Sequence, residues 1–373
     1  MSLLSLRAEL VDLARRTRAW PSRRRARASY AQRRMDSPVG APVLAFGSAA
    51  PKPGEIIHGG QVKLLHLSRA FAHNEERFNL LYLVSSAIPA NARELVDWAR
   101  RQGAKFVWNQ NGTGFPAWAG AAYRSFNRPM ADLLARADYV VYQSEFCRES
   151  ANRWVAPAKA PAAVLPNPVD LAAFAPTPNP PSTDCWRLLT AGTHNQPYRV
   201  LGALETAHLL RQSGRAVHLV VAGERRWPGA NREIREAIAK WQLEASVELL
   251  PAFTQTEAVE LLRRSHILLH AKYADPCPTM VIEALACGIP VIGSRTGGLP
   301  ELVGEDGGAL ISVPTGWERA SYPSPAEMAA AVETLMAKWP ERSRAARARA
   351  EQRFGAEQWL ESHARIFEKA LAP

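Results

Sequence analysis

The sequence predicts an α/β protein of two domains, each built on a parallel sheet, that face each other across a cleft. The chain has 373 residues, whereas a single domain usually has roughly 100–200. Short apolar runs alternate with amphipathic stretches, which is the pattern of βα units. A proline-rich segment, 173–186, separates two series of these units. Together the three observations favour two domains of the same class.

The first series, in residues 38–172, predicts a Rossmann-like N-terminal domain. A helical pattern from Gln61 to Phe71 follows its first apolar run. The segment 173–186 (AFAPTPNPPSTDCW) is predicted to be the interdomain linker, because its prolines disfavour strand pairing and keep the chain extended. Strands of this domain are predicted at 42–46, 79–84, 105–108 and 139–142.

The second series, in residues 187–350, predicts a second Rossmann-like domain. Ser324 and Glu327 form a capping box with Pro325 at the first helical position, so a helix is expected to begin there. Residues 351–373 predict a C-terminal helix, from about Ala356 to Leu371, that packs back toward the first domain. Strands of the second domain are predicted at 187–191, 217–222, 247–250, 266–270 and 290–293.

Residues 1–37 form a basic N-terminal arm with ten arginines in the first 34 residues of a chain of net charge +11. Four leucines at helical spacing (Leu3, Leu6, Leu10 and Leu13) predict an amphipathic helix that could lie on an anionic membrane surface. A solvated tail, or a helix docked on its own domain, is the open alternative.

Other partners and compartments are restricted by what the sequence lacks. The arm has no interleaved aromatics and belongs to no recognised module, so no nucleic acid is expected as a partner. A short apolar stretch broken by Arg7, Glu9 and Asp12 argues against a secretory signal, and no apolar run is long enough to span a membrane. A cytoplasmic protein is expected, either free or peripheral on the inner face of the membrane. Four cysteines without CxxC spacing predict reduced thiols and no zinc site.

Functional residues are expected just after the strands, because ligands of open parallel sheets bind outside the carboxyl ends of the strands. In the second domain these positions include His194, Arg225, Lys272 and Asp275. Asp275 lies in a loop, since each proline of Asp275-Pro276-Cys277-Pro278 pushes its predecessor out of the helical region. A short apolar helix is predicted to start near Pro278 or Thr279 and to end at Gly288.

Glu283 lies on this apolar helix, so its carboxylate needs a partner. A vicinal diol is a good partner, because one carboxylate accepts hydrogen bonds from two neighbouring hydroxyls. An arginine, or a backbone amide that Glu283 caps, is the open alternative. One strand further on, Gly297 and Gly298 precede a probable helix start, where glycines allow close backbone approach and free N–H groups hold anions.

The segment 270–304 resembles the donor-site signature of family 4 of the retaining glycosyltransferases, which have the GT-B fold. The signature has two acidic residues with seven between them, here Asp275 and Glu283, then Gly288-Ile289-Pro290-Val291 and Gly297-Gly298-Leu299-Pro300-Glu301. Weaker matches are HGGQ, ADYVVYQSEFCRE, VLPNPVDLAAF and VVAGE. The resemblance covers about residues 40 to 371.

This resemblance implies a hexose-type transfer from a UDP- or GDP-sugar to a hydroxyl of a glycan or glycolipid, in cell-envelope or polysaccharide synthesis, without a metal or another cofactor. Asp275 and Glu283 would be the catalytic pair, with Glu283 on the ribose and Asp275 on the donor sugar. The residues implied at the donor are Arg199, Lys272, Cys277, Pro278, Thr279, Gly297, Gly298, Arg225 and His194. The residues implied on the acceptor side are His58, Gly59, Gly60, Asn109 and Asn111.

Three departures from the family pattern keep other functions open. The first acidic residue is Asp275 instead of the usual Glu. The loop GTHNQPYR has only Arg199 where the family has an Arg and a Lys, and Asn109-Gln110-Asn111-Gly112 stands where the family often has a His. The alternatives are a sugar-nucleotide epimerase or phosphorylase on the same fold, and a noncatalytic homologue that binds nucleotide sugars.

Overall fold

A computed structural model describes residues 24–52, 54–56 and 59–372. The predicted leucine-bearing helix of the arm and His58 lie outside the described residues. The described chain begins in a helix, α1, over residues 24–32. Near its end the Tyr30 ring stacks on Trp98 at 5.3 Å, and Trp98 Nε1 donates a hydrogen bond to the Arg33 carbonyl. This end of the arm therefore packs on the first domain.

The first sheet has six parallel strands in the order β2-β1-β3-β4-β5-β6. Its central strand β3 has the sequence LLYLV, and every residue of it is buried. Such a continuous apolar strand is typical of a parallel sheet covered on both faces. The strands are β1 (Val43–Ala45), β2 (Ala72–His73), β3 (Leu80–Val84), β4 (Lys105–Gln110), β5 (Tyr139–Tyr142) and β6 (Ala162–Val164).

The second sheet also has six parallel strands, in the order β12-β11-β10-β7-β8-β9. The strand order reverses direction between β7 and β10, which is where ligands bind in open α/β sheets. The strands are β7 (Trp186–Ala191), β8 (Val217–Ala222), β9 (Val247–Leu250), β10 (Ile267–His270), β11 (Val291–Ser294) and β12 (Gly308–Ile311).

Helices connect these parallel strands. In the first domain they are α2 (Gly59–Ala70), α3 (Ala92–Arg101), α4 (Pro116–Ala119), α5 (Tyr123–Leu134) and α6 (Glu145–Trp154). In the second half of the chain they are α7 (Pro197–Gln212), α8 (Ala230–Lys240), α9 (Gln255–Arg263), α10 (Thr279–Ala286), α11 (Leu299–Val303), α12 (Pro325–Ala337), α13 (Trp339–Arg353) and α14 (Ala356–Leu371).

The predicted α/β class with two parallel sheets is confirmed, and each predicted strand has a counterpart. Three further strands, β2, β6 and β12, were not predicted. All three are edge strands of two to four residues, too short for a clear periodic pattern. The domain limits stay a prediction, but residue 350 falls within α13, which ends at Arg353.

The last helix lies against the first domain. Trp359, Ile366 and Phe367 of α14 share one core cluster with Leu44 and Tyr82 of the first sheet. The Tyr82 hydroxyl and His363 Nε2 are 3.0 Å apart beside that cluster. The chain therefore returns to its first half after completing the second sheet. Within the described residues, no helix is both long and apolar enough to cross a bilayer.

Candidate active site

A cavity of about 670 Å³ lies between the two sheets. Segments that follow the strands form much of its wall, so the carboxyl ends of both sheets point toward it. From the first domain these segments contribute Ser85, Asn111 and Gln143. From the second they contribute Gly192, Glu224 and Lys272. The cavity is therefore the cleft that the sequence predicts.

Glu283 is placed on this cavity by α10. Its helix is apolar and buried on all but the first turn, and the side chain of Glu283 is only 3% exposed. Burial raises the pKa of its carboxyl group to about 7, and a hydrogen bond from Gln255 offsets only part of that rise. Within the described part of the chain, no cation forms an ion pair with Glu283. The carboxylate thus faces the cavity with acceptor capacity to spare.

Asp275 is held by two residues shortly before it in sequence, His270 at the end of β10 and Lys272 on the loop. Its Oδ2 atom lies 2.9 Å from Lys272 Nζ and 3.2 Å from His270 Nε2. Burial alone would raise the pKa of Asp275, but the Lys272 ammonium and the His270 hydrogen bond hold it well below its usual range. Asp275, Lys272 and His270 all line the cavity. An ionised aspartate thereby orients a lysine toward the ligand space.

Gly297 and Gly298 lie behind the Asp275 loop and are not part of the cavity wall. The Gly298 N–H donates to the Asp275 carbonyl at 2.9 Å. A Cβ atom on Gly298 would lie 2.0 Å from the Pro276 carbonyl oxygen, and one on Gly297 would lie 2.6 Å from the Asp275 carbonyl oxygen. The resemblance puts this pair beside the donor diphosphate, and that role stays a prediction. The glycines are needed because α11 packs its backbone directly on the loop.

The other donor-side candidates divide into two groups. Arg199, Lys272, Cys277, Pro278 and Thr279 line the cavity. His194 and Arg225 do not line it, because their side chains contact carbonyl groups at the ends of β8 and β9. His194 Nε2 lies 3.1 Å from the Ala222 carbonyl, and Arg225 donates to the Leu250 carbonyl at 3.2 Å.

Basic groups reach the cavity from three places. Arg199 is buried and donates to the carbonyl of Thr193 at 2.8 Å and to that of Ala191 at 3.2 Å. Arg226 pairs with Glu224 at the cavity wall. Together with Lys272, these side chains provide positive charge at the cavity, although the loop after β7 lacks one of the two basic residues of the family pattern.

The residues predicted on the acceptor side lie around the start of α2. Gly59, Gly60 and Asn111 line the cavity, whereas Asn109 lies buried behind it. A Cβ atom on Gly59 would lie 2.7 Å from Thr279 Oγ1, and one on Gly60 would lie 2.2 Å from Ser86 Oγ. Gly59 therefore lets the start of α2 approach the opposite domain, and Gly60 lets it approach the loop after β3.

Lys63 is a buried cation that sequence reasoning missed. Its ammonium donates to Asn109 Oδ1 at 2.6 Å and to Asn111 Oδ1 at 2.9 Å. Burial lowers the pKa of Lys63 to about 7. The signal was its position between two apolar residues of α2, Val62 and Leu64. Lys63 orients both amides, so Asn109 acts through this network while Asn111 reaches the ligand space.

An apolar rim borders the cavity on the first domain and was also missed. Trp118 and Phe126 are 45% and 42% exposed, and their rings lie 4.9 Å apart. Ile56, on the loop before α2, is 60% exposed. All three line the cavity. The density of aromatics in FPAWAGAAYRSF was the available signal.

Comparison with known proteins finds a family match for the second half of the chain. Residues 179–353 match the family described as "Glycosyl transferases group 1". Over 247 residues the chain is 26% identical to a phosphatidylinositol N-acetylglucosaminyltransferase subunit from Arabidopsis thaliana, a match that covers 65% of this chain and 51% of that protein. It is 27% identical over 145 residues to the putative colanic acid biosynthesis glycosyltransferase WcaL of Escherichia coli, covering 37% of this chain and 35% of that protein.

The curated relatives are longer than the matched region. The chain spans about half or less of the length of the first relatives it matches, with 51% of the Arabidopsis protein and 38% of the gpi3 subunit of Schizosaccharomyces pombe. At 26% and 25% identity over these regions, both proteins are distant relatives.

Solved structures share the fold. Sucrose-phosphate synthase from Thermosynechococcus elongatus has a TM-score of 0.64 at 17% identity, covering 78% of this chain and 73% of its own. Anabaena Alr3699/HepE in complex with UDP-glucose has a TM-score of 0.63 at 16% identity, covering 88% of this chain and 100% of its own. These likenesses show the arrangement of two facing domains known as GT-B.

Proposed function

We propose that the chain is a retaining hexosyltransferase of family 4 of the glycosyltransferases. This proposal is supported by the match of residues 179–353 to the glycosyl transferases group 1 family and by the GT-B fold. The donor would be a UDP- or GDP-sugar, and the acceptor a hydroxyl of a glycan or glycolipid. The observation that carries this proposal is Glu283, a buried carboxylate on the cavity wall with a raised pKa and no cation paired to it among the described residues.

Glu283 suits the ribose of a nucleotide. Two neighbouring hydroxyls would donate to its carboxylate and supply the partners that the protein leaves missing. Arg199, Arg226 and Lys272 are near enough to the same cavity to balance a diphosphate. The Anabaena structure named above holds UDP-glucose, and the Arabidopsis relative is named as an N-acetylglucosaminyltransferase. Both names support a nucleotide-sugar donor.

The transfer we propose is a substitution at the anomeric carbon of the donor sugar. The bond from that carbon to the diphosphate oxygen breaks, and the diphosphate leaves with the electron pair. The acceptor oxygen bonds to the same face of the sugar and gives its proton to a diphosphate oxygen. Lys272, oriented by Asp275, stabilises the charge that develops on the diphosphate. Asn111, fixed by Lys63, positions the acceptor hydroxyl.

The rim of Ile56, Trp118 and Phe126 supports an acceptor with apolar surface. Aromatic rings bind the C–H face of a sugar or a lipid tail, and amides bind hydroxyl groups. The WcaL relative is named for colanic acid biosynthesis, in line with a role in envelope or polysaccharide synthesis. Attachment of the basic arm to an anionic membrane is part of this proposal.

Replacement of Glu283 tests the donor site. We expect Glu283→Ala to abolish transfer from UDP- and GDP-sugars and to weaken their binding in calorimetry, while the circular dichroism spectrum is unchanged. The exposed Glu244→Ala is the matched control. Wild-type kinetics in Glu283→Ala would refute the site. Donor binding by the wild-type chain without turnover on any acceptor would favour the noncatalytic homologue instead.

A further inference from the structure

A carboxylate of the second domain caps a helix of the first. Glu301 in α11 accepts hydrogen bonds from the backbone N–H groups of Glu145 at 2.7 Å and of Phe146 at 2.9 Å. These are the first two residues of α6. The first N–H groups of a helix have no acceptor within the helix. Glu301 therefore supplies an acceptor for each of these two donors from the other domain.

The contact is electrostatically favourable. A helix N-terminus carries partial positive charge, so a carboxylate there is stabilised by the helix dipole as well as by hydrogen bonds. Glu301 is not part of the cavity wall. Its carboxylate instead contacts the backbone of the first domain.

A second contact beside it reaches the Asp275 loop, which we call the donor loop because the proposed function assigns the donor sugar to it. Ser144, the N-cap of α6, accepts from the Cys147 N–H at 3.0 Å and donates its hydroxyl hydrogen to the Pro276 carbonyl at 2.8 Å. Pro276 directly follows Asp275. Gly298 packs on the same carbonyl. The start of α6, the start of α11 and the donor loop thus meet at one point.

A third contact completes the junction. Asn167 of the first domain donates to the Cys277 carbonyl at 2.8 Å, and its own amide oxygen accepts from Gln143 Nε2 at 2.9 Å. The loop that carries Asp275 is thereby held by side chains of the opposite domain. If the domains separated, the loop would lose these contacts together with the Glu301 cap.

We propose that Glu301 is a positioning residue that latches the two domains and, through that junction, holds the Asp275 loop in the shape required for transfer. The kinetic part of this inference rests on the proposed function, whereas the contact itself does not. Since Glu283 lies within the second domain, nucleotide binding depends less on the latch than transfer does.

Amide hydrogen exchange in the full chain measures the latch directly. In Glu301→Gln we expect the amides of Glu145 and Phe146 to exchange about tenfold faster, which corresponds to about 1.4 kcal/mol. The matched control is Glu305→Gln, which alters an exposed carboxylate four residues away. Unchanged exchange of the two amides in both Glu301→Gln and Glu301→Ala would overturn the latch.

Kinetic measurements distinguish a positioning role of Glu301 from a role in stability alone. We expect kcat of Glu301→Gln to fall about tenfold, with UDP affinity changed less than about threefold and an unchanged melting temperature. Ser144→Ala should give a smaller loss in kcat, and the double variant should lose less than the product of the two, because the residues share one junction. Faster exchange with wild-type kcat would overturn the positioning role. A wild-type chain that turns over no nucleotide sugar, while the exchange difference persists, would refute the proposed function and leave the latch standing.

Discussion

At the residue scale, Glu283 shows how a group suited to bind a ligand can destabilise the protein while no ligand is bound. Without a ligand, its carboxylate is removed from water, and Gln255 only partly compensates. The cost of keeping it ionised is carried by the free protein. A bound diol would reduce that cost, because it supplies donors where the protein has few. The ionised carboxylate therefore lowers the stability of the free chain, and binding of a diol would offset part of that loss.

This opposition predicts a pH dependence of stability. The pKa of Glu283 is raised from 4.5 to about 7, so the folded state binds this proton more tightly than the unfolded state does. The stability that this tighter proton binding gives the folded state is fully present below about pH 4.5 and is lost as pH rises through about 7. We expect ligand-free Glu283→Gln to be more stable than wild type by up to about 3 kcal/mol at pH 8, measured by urea unfolding.

The difference between these two proteins should shrink as the pH is lowered toward 4.5, where the folded carboxyl group is protonated and no longer carries a buried charge. Glu244→Gln, on an exposed turn, is the control and should show no such trend. A gap between wild type and Glu283→Gln that is constant with pH would contradict the burial of an ionisable carboxyl group.

Individual residues differ in how far the sequence predicts them. Glu283 was predictable, because a lone acid on a short apolar helix has to be buried. The ion pair of Asp275 with Lys272 was not, since it depends on how a nonhelical loop folds back on itself. Lys63 has a sequence signal, but its two amide partners come from a strand and its following loop more than forty residues away. Such pairings depend on strand order.

At the scale of elements, the glycine pair before α11 sets how closely that helix approaches the donor loop. Gly298 has φ −84° and ψ −4°, a conformation that any residue adopts, so its lack of a side chain is required by the contact alone. The sequence predicts close backbone approach at this position. It does not tell whether a ligand or another loop approaches, and here the loop does.

Gly298→Ala tests this contact. The added methyl group would lie 2.0 Å from the Pro276 carbonyl, so α11 or the loop has to move. We expect the affinity for UDP-sugar to fall about tenfold or more in calorimetry, because a shift of the loop displaces Asp275 and Lys272. Gly316→Ala is the control, since its Cβ atom would meet no other atom within 4 Å. Equal affinity in Gly298→Ala and wild type would contradict the close packing.

Helix boundaries with a chemical signal were predicted well. The capping box at Ser324 and Glu327 is present at the start of α12, and α10 begins at Thr279, where the prolines of the preceding loop predict it. The edge strands β6 and β12 were missed, because three or four mostly half-buried residues give no periodicity. Their pairing is decided by a neighbouring strand of the finished sheet.

At the scale of the whole molecule, the two domains are joined by several parts of the chain in addition to the linker. Trp317, in the loop after β12, stacks on Phe146 of the first domain at 5.3 Å, and its carbonyl accepts from the Ala117 N–H at 2.7 Å. The chain also passes between the two domains twice at one place, where Val169 and Gly355 form a parallel β-bridge. These connections define the relative position of the two halves of the cavity.

The final crossing makes the first domain depend on the end of the chain. Phe367 of α14 is fully buried, and its ring lies 5.1 Å from Phe71 and 6.0 Å from Tyr82. Truncating a buried phenylalanine to alanine typically costs about 3–5 kcal/mol. We expect Phe367→Ala to destabilise the first sheet by this amount, although the residue follows the whole second domain in sequence. Hydrogen exchange should accelerate in β3 and β4 more than in β7 and β8. Lys369→Ala, on the exposed face of the same helix, should leave both sheets unchanged. Faster exchange confined to β7 and β8 would mean that α14 stabilises the second domain, and the cleft would then lack this link between its halves.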